Sequence, residues 1–400
     1  MKRLRLPNLR PWIPVLFLPL SLLLLMFSRA VPSFAEWYAT GPYRWLSHWG
    51  NLLSFCIPYS SIGEMLVLAA IPVCLGYLIY FFIQWRKHRE SRRETLCRFF
   101  RNALCAISLL AFLFTICCGI NYSRYTFAQT SGLRIQPSSK EELQELCQSL
   151  AGDVTALRQQ VQTDANGITT LDASVNGTAK QARSAMRAAS ADYPLLDGTY
   201  LGPKPVLFSR ALSACQITGI FFPFTFEANV NIDIPDYSIP STMCHELAHL
   251  SGFMREDEAN FIAYLACIHS ESAEFQYSGK MLAYIYVFNA LFAEDPQAAQ
   301  EISASLGEGV RMDLNANNAY WDQFESPVAE VANQVNNAYL KANRQQDGVR
   351  SYGRVVHPLL AEHRKKQKAP SLKPSCFPKK KTGASSGRLS AEGACFCFIA

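Results

Sequence analysis

The sequence predicts an N-terminal region of three transmembrane helices followed by an α+β, mostly helical domain. Three long apolar runs lie within the first 121 residues, and each is near the roughly 20 residues that a helix needs to cross the hydrocarbon core. After them, apolar residues recur mainly at helical spacing, with a few short extended segments between. Hydrophobic residues make up 49% of the 400-residue chain and charged residues 18%, which fits a membrane anchor plus one folded domain.

The predicted transmembrane helices cover residues 12–28, 62–85 and 103–120. The alternative for the first run is a cleaved signal peptide, because residues 31–35 resemble a processing site. The length of the run and the two spans that follow favour a retained helix. The two prolines inside it are tolerated in a membrane helix.

The distribution of basic residues predicts the orientation of these helices. The stretch 86–101 holds seven Lys or Arg and two Glu, whereas the longer loop 29–61 holds only two arginines. By the positive-inside rule, the N-terminus and the stretch 86–101 are cytoplasmic. The chain after about Asn121 is therefore expected outside the cytoplasm. The whole is expected to be a multi-pass protein of the cell membrane, with the lipid bilayer as a partner.

We divide the chain into a membrane region, 1–121, an extracytoplasmic domain, 122–362, and a basic tail, 363–400. From residue 364 onward there are nine Lys or Arg and one acid, so the tail accounts for the net charge of +6. That location gives no indication of a nucleic-acid partner. The tail is Pro- and Ser-rich and predicted to be disordered. Its abrupt start also raises the hypothesis of an altered reading frame.

The domain is predicted to open with a helix from a capping box at 139–142 to about residue 162, and to continue with a helix at 178–191. Three extended segments then predict a small sheet: 204–208, 217–222 and 229–234. The last alternates polar and apolar residues, as a half-exposed strand does. From 256 to about 342 the pattern is helical, with breaks near Gly307 and Ser326.

Residues 245–249 read His-Glu-Leu-Ala-His, an HExxH motif. Positions i and i+4 of a helix lie one turn apart on the same face, so His245 and His249 can direct two imidazoles at one ion. Glu246 lies beside the first histidine, where it can act as general base on a zinc-bound water, whose pKa zinc lowers toward about 7. The competing interpretation is a helix with two hydrogen-bonded histidines and one surface acid. The uncharged residues around the motif favour a Zn²⁺ site.

An acidic run after the motif contains the candidates for a third metal ligand, because a catalytic zinc usually has three. Gly252 can end the motif helix and turn the chain into this run. Glu256 is the first candidate, since Asn260 follows one turn later and can bond the far nitrogen of a ligating histidine. Glu258 is the alternative. Acids at a helix N-terminus also complement the helix dipole, which explains one or two of them.

The segment HELAHLSGFMREDEANFIAYLAC, at 245–267, resembles the signature of an uncharacterised bacterial family of membrane-anchored proteins in the zincin (HExxH metallopeptidase) superfamily. The segments ITGIFFPFTFEANVN and YLKANRQQDGVRSYGRVV resemble the same family, and together they cover most of 134–360. This resemblance implies a zincin-like domain, Zn²⁺ and a gluzincin-type glutamate. The sequence departs from thermolysin in two ways: Asn260 replaces an aspartate, and the separation from His249 to Glu256 is shorter.

The function these features predict is a membrane-anchored, extracytoplasmic zinc metallopeptidase that acts on a peptide or protein substrate. The alternative is a non-catalytic membrane or envelope interaction protein that zinc only stabilises. An intramembrane protease fits poorly, because the motif lies outside the apolar spans. Asn229 is a candidate for holding an extended peptide by backbone pairing. Candidates for stabilising an oxyanion are Tyr264, Tyr284, Tyr286, Tyr352, Arg354 and His357.

Overall fold

The structure is a computed structural model that describes residues 10–54, 57, 60–343, 345 and 354–368. It is mostly helical with one small sheet, as the sequence predicts. Three of its helical segments are long and apolar enough to cross a membrane: Arg10–Ala30, Ile62–Lys87 and Arg92–Cys117. The predicted number of spans is therefore confirmed as three candidate spans. The third begins at Arg92, eleven residues before its predicted start at 103, because the helix includes the basic segment 92–102 that precedes the apolar run.

Five helices form the N-terminal part: α1 (Phe17–Ala30), α2 (Pro32–Thr40), α3 (Pro42–Ser54), α4 (Ile62–Lys87) and α5 (Arg92–Cys117). A 3-10 segment at Arg10–Leu16 leads into α1. The stretch 29–61, predicted as a loop between two spans, contains the short helices α2 and α3. Tyr38 and Tyr43 are buried in the same core as the following domain, so that core draws residues from both sides of the predicted boundary at 121.

The folded domain lies at one end of the three spans, which we call the domain end. Helix α4 begins there, and Glu227 of the domain binds its first turn. One carboxylate oxygen accepts from the Ile62 amide at 3.1 Å, and the other accepts from the Gly63 amide at 2.7 Å. The Lys204 ammonium completes the contact at 2.6 Å. The carboxylate thus joins the second candidate span to the sheet.

Replacing Glu227 by Ala is expected to lower the free energy of unfolding by about 3–5 kcal/mol, because it leaves the Lys204 charge buried without its partner. Both side chains of the pair are nearly inaccessible, at 5% and 1% exposure. Thermal unfolding of the full chain in detergent measures the loss. Glu301→Ala, on an exposed position of a later helix, is the matched control and is expected to stay within about 0.5 kcal/mol. Equal losses in the two variants would contradict the assigned role of Glu227.

The domain has eleven further helices and three strands among the described residues. In chain order they are α6 (Phe127–Ser131), α7 (Lys140–Arg158), α8 (Val175–Asp192), β1 (Lys204–Pro205), α9 (Ser209–Ala214), β2 (Gly219–Phe222), β3 (Glu227–Val230), α10 (Ile239–Leu250), α11 (Glu256–Ile268), α12 (Ala273–Glu294), α13 (Pro296–Ala304), α14 (Glu308–Asp322), α15 (Pro327–Ala342) and α16 (Val356–Lys368). The capping box at Ser139 and the breaks at Gly307 and Ser326 are where the sequence predicts them.

The sheet order is β1-β3-β2, with β1 parallel and β2 antiparallel to β3. The prediction of a half-exposed strand at 229–234 is wrong in the bounds of the strand and in its burial. The strand is Glu227–Val230 and all four of its residues are buried, because it is the central strand and α10 packs over it. Asn229 therefore lies on a strand whose two edges are already paired, whereas β1 and β2 are the terminal strands and each has one free edge among the described strands.

Helix α10 is the centre of the domain core. It packs against the sheet on one side and against α8, α11 and α12 on the others, and ten of its twelve residues are buried. Cys244 is buried within it, and its sulfur lies 3.9 Å from that of Cys267 in α11. Both are free thiols. A helix enclosed in this way holds its side chains in fixed positions.

Glu274, in the first turn of α12, is a buried acid away from the motif. It is 2% exposed, and neither carboxylate oxygen has a hydrogen-bond partner among the described residues. Burial first, and then the nearby charge of Asp172, raises the pKa of Glu274 to about 7. The folded state therefore keeps a proton that the unfolded state releases near its ordinary value of 4.5, so stability falls as the pH rises between these two values.

Replacing Glu274 by Gln is expected to raise the melting temperature near pH 8 and to leave it nearly unchanged near pH 4.5. The amide has no proton to lose, so it stays uncharged in the buried position at both pH values. Melting of the full chain in detergent at the two pH values measures the difference. Glu301→Gln, exposed on α13, should show no pH-dependent difference from the unmodified chain. A melting curve of Glu274→Gln that follows the unmodified chain at both pH values would contradict the raised pKa.

Helix α16 runs to Lys368, so the first six residues of the predicted tail, 363–368, are helical. Arg364 anchors it, since its guanidinium contacts both carboxylate oxygens of Glu142 in α7, at 2.9 and 2.6 Å. The predicted disorder of the remaining tail lies outside the described residues.

Candidate metal centre

The end of α10 and the start of α11 form the frame of the site. The chain leaves α10 at Gly252, whose φ of +89° is a conformation that L-residues with a side chain rarely adopt. A Cβ there would also lie 3.2 Å from the Tyr43 ring. Arg255 is extended, and α11 begins at Glu256. The turn thus brings the first residue of α11 back against the histidine face of α10, as the sequence predicts for Gly252.

Three potential ligand atoms converge at this turn, one each from His245, His249 and Glu256. They all lie within 4.8 Å of one another. Glu256 Oε2 is 3.1 Å from His245 Nε2 and 3.6 Å from His249 Nε2. In the part of the chain that the structure describes, this is the only group of three or more His, Cys, Asp or Glu side chains with such spacing.

The hydrogen bonds of the other ring nitrogens orient both imidazoles. His245 Nδ1 lies 2.8 Å from Asn260 Oδ1, and His249 Nδ1 lies 2.8 Å from the Phe253 carbonyl oxygen. Both partner oxygens accept, so each Nδ1 donates, and each Nε2 is directed toward Glu256. Asn260 is held in turn, because its Nδ2 donates to the Tyr286 hydroxyl at 3.1 Å.

Glu246 lies beside this group and is nearly inaccessible, at 3% exposure. Its Oε2 has no hydrogen-bond partner among the residues described. On the other side, a Cβ added to Gly219 of β2 would come within 2.5 Å of Glu246 Oε1, so only glycine fits at that point of the strand. Burial raises the pKa of Glu246 to about 7, and the charges of His245 and His249 offset only part of this effect.

The charges of the three convergent residues complement one another. Burial disfavours the charged form of His249, but the charge and hydrogen bond of Glu256 outweigh it and raise the pKa of His249 to about 9. Burial likewise disfavours ionised Glu256, but His249 and His245 hold its pKa well below its usual range. The positive charge of protonated His249 therefore stabilises ionised Glu256, and a divalent cation at this position would supply a positive charge in the same way.

The structure distinguishes the two candidate third ligands. Glu256 lies with the histidines, whereas Glu258 faces away from them. One Glu258 oxygen accepts from the Phe127 amide at 2.7 Å, and the other accepts from Arg255 Nε at 2.9 Å. Both oxygens are thus used in packing α6 against α11. Asn260 lies where the sequence predicts an outer partner for a histidine.

Of the oxyanion candidates, Tyr286 contacts the residues around the group, since its hydroxyl accepts from Asn260 Nδ2. Arg354 pairs with Asp257 at 3.5 Å, and His357 is exposed on α16. Tyr264 packs against the ammonium of Lys280, and Tyr284 is fully buried in the core. Tyr352 lies outside the described residues.

The domain ends of the spans adjoin the site, which sequence reasoning did not anticipate. Cys118, directly after α5, has its sulfur 3.6 Å from the Met254 sulfur. The Tyr43 hydroxyl donates to the His249 carbonyl at 3.2 Å. Arg124 binds Glu36 of α2 at 2.8 Å and the Gly252 carbonyl at 3.3 Å. The residues in each of these pairs are 88 to 206 positions apart in the sequence, so no local sequence pattern indicates the contacts.

The comparisons with known proteins identify a family. The model of the family described as "Protein of unknown function (DUF3810)" matches residues 38–360. The chain therefore belongs to this family, whose match includes the end of α2, all of α3, the second and third candidate spans and the group of His245, His249 and Glu256. No curated protein and no solved structure matches the chain.

Proposed function

We propose that this chain is a membrane-anchored zinc metallopeptidase with a zincin-like domain, and that α10 carries its HExxH motif. The observation that supports the proposal most is the convergence of His245, His249 and Glu256 beside a buried carboxylate with an unpartnered oxygen, Glu246. A purely structural pair of histidines would not explain that carboxylate, because burying an acid without a partner destabilises a fold.

The ligand atoms of His245, His249 and Glu256 are of the types that bind zinc. Two neutral imidazole nitrogens and one carboxylate oxygen are the protein ligands of a gluzincin-type catalytic zinc, which leaves one coordination position open. Bound zinc supplies a Lewis acid that lowers the pKa of a coordinated water and polarises a carbonyl. The hydrogen bonds that the two Nδ1 groups donate to Asn260 and to the Phe253 carbonyl would keep the two Nε2 atoms directed at a bound ion, as outer partners do in zinc sites.

Glu246 is the general base of the proposed reaction. Its position next to the first histidine, outside the group of convergent ligand atoms, would put the carboxylate beside a bound ion without making it a ligand. A pKa raised toward neutrality makes the side chain able both to take a proton from water and to return it to a leaving amine. Burial excludes the solvent that would otherwise compete for its Oε2.

The free edge of β2 is the proposed place for the substrate backbone. In the sheet order β1-β3-β2, β2 is terminal, and no further strand of the described residues pairs with it. A peptide added to this edge would gain main-chain hydrogen bonds. Because Gly219 of β2 lies next to Glu246, a peptide on this edge would have its scissile bond near the general base. Asn229, on the paired central strand, does not serve this purpose.

The proposed orientation places the domain outside the cytoplasm. Helix α4 begins at the domain end and α5 ends there, and each is 26 residues long. The basic connection between them therefore lies at the opposite end of the two helices from the domain. If that basic end is cytoplasmic, the domain end faces the other side.

The test is hydrolysis by the full chain, purified in detergent, of a mixture of internally quenched peptides. We expect cleavage that a chelator abolishes and that added Zn²⁺ restores. Cleavage that persists after the bound metal has been removed would contradict a zinc mechanism. A zinc-loaded chain that cleaves none of the peptides would favour the non-catalytic alternative.

A further inference from the structure

Helix α15 has an exposed side that is divided lengthwise into an apolar and a polar half. Its buried side faces the domain through residues such as Ala329 and Leu340. At 100° per residue, the exposed apolar residues form one continuous strip, which we call the valine stripe: Val328, Val331, Val335, Ala338, Tyr339 and Ala342. The exposed polar residues flank it: Glu330, Gln334 and Lys341.

The valine stripe is bare along most of its length. Val328, Val331 and Val335 are 57%, 59% and 64% exposed, although valine is ordinarily a core residue. The helix is 16 residues long, or about 24 Å. An uninterrupted apolar strip of this length on a water-exposed helix indicates a partner surface.

The end of the stripe touches two membrane helices. The Tyr339 ring lies 6.2 Å from the ring of Phe114, one turn before the end of α5. The Ala342 carbonyl accepts from the Arg29 guanidinium of α1 at 3.2 Å. Tyr339 and Tyr122 also share a hydrogen bond of 3.0 Å between their hydroxyls. The end of the stripe therefore lies against the domain ends of α1 and α5, and a tyrosine lies at this junction, as is usual at membrane interfaces.

A second bare apolar element lies at the domain end of α4. Leu207 and Phe208 are 83% and 53% exposed. Their backbone amides donate to the Glu64 carboxylate in the first turn of α4, each at 2.9 Å. Apolar side chains are thus presented at the domain ends of two separate spans, which a bilayer surface matches and one small protein partner does not.

We propose that α15 lies in the interface of the bilayer, with the valine stripe against the acyl chains of the leaflet at the domain end. Glu330, Gln334 and Lys341 then lie among the head groups, which is the arrangement of an interfacial amphipathic helix. The surface would hold the domain, and with it the turn from Gly252 to Glu256, against the membrane. The proposal does not depend on bound zinc or on hydrolysis.

A photoreactive benzophenone side chain, introduced singly at Val331, Val335 or Gln334, tests this surface. All three positions are exposed, so the variants should fold. The full chain is reconstituted in vesicles of phosphatidylcholine and phosphatidylglycerol whose acyl chains carry a radiolabel. We expect several-fold more lipid adduct from Val331 and Val335 than from Gln334, and a yield like that from Leu78 in the α4 span, which is 42% exposed.

Equal lipid adduct from Val331, Val335 and Gln334 would overturn the proposal. So would cross-linking of Val331 and Val335 to a second copy of the chain in place of lipid, because the stripe would then be an interface between protein molecules. Melting of each variant verifies that the fold is intact.

Discussion

Glu246→Gln is expected to lower the rate of peptide hydrolysis by roughly 10²–10⁴-fold, the usual contribution of a general base, while zinc remains bound. The amide keeps the shape of the side chain but cannot take a proton. Because Glu246 lies outside the group of convergent ligand atoms, the metal site should stay intact. The measurements are the hydrolysis rate and the zinc content of the same preparation.

Glu274→Gln is the matched control for this variant. Both glutamates are nearly inaccessible and both have a pKa raised to about 7 by burial, but Glu274 lies away from the metal group. Its replacement should leave hydrolysis unchanged. If Glu246→Gln lost zinc together with activity, its role would be structural. If hydrolysis were undiminished, Glu246 would not be the base.

Glu256→Gln is expected to weaken zinc binding by more than the roughly 10–100-fold that loss of an outer-shell partner costs. The substitution removes both the ligand charge and the carboxylate that faces His245 at 3.1 Å and His249 at 3.6 Å. Competition with a chromophoric chelator measures the affinity. Hydrolysis should fall in proportion to the zinc that is lost.

Glu258→Gln separates metal binding from packing. It is the same substitution two residues away and equally buried, but its carboxylate binds the Phe127 amide and Arg255. We expect a lower melting temperature with zinc affinity unchanged. Zinc loss in Glu258→Gln and not in Glu256→Gln would contradict the arrangement of the site.

The sequence predicts those parts of the site that depend on helix periodicity alone. The spacing of His245 and His249 places them on one face, and the spacing of Glu256 and Asn260 places an outer partner one turn from a ligand. The choice between Glu256 and Glu258 depends on the direction in which α11 leaves the turn at Gly252. Both lie in its first turn, so local pattern cannot decide between them.

Other features depend on contacts between distant segments. Alternation of residues at 229–234 indicates a half-exposed strand, but burial of β3 arises from pairing on both edges and from α10 above it. The second ring nitrogen of His249 binds a backbone carbonyl, at Phe253, which side-chain identity does not reveal. The apolar runs predict the number of spans, but only the fold shows that Cys118 and Met254 meet.

The most direct test of the zinc centre is the metal content and X-ray absorption spectrum of the purified full chain. We expect about one zinc per chain, with two nitrogen ligands near 2.0–2.1 Å and oxygen ligands near 2.0–2.2 Å. The His245→Ala variant should lose the metal. A chain that stays folded and binds no zinc after loading, or one whose zinc has sulfur ligands near 2.3 Å, would contradict the centre formed by His245, His249 and Glu256.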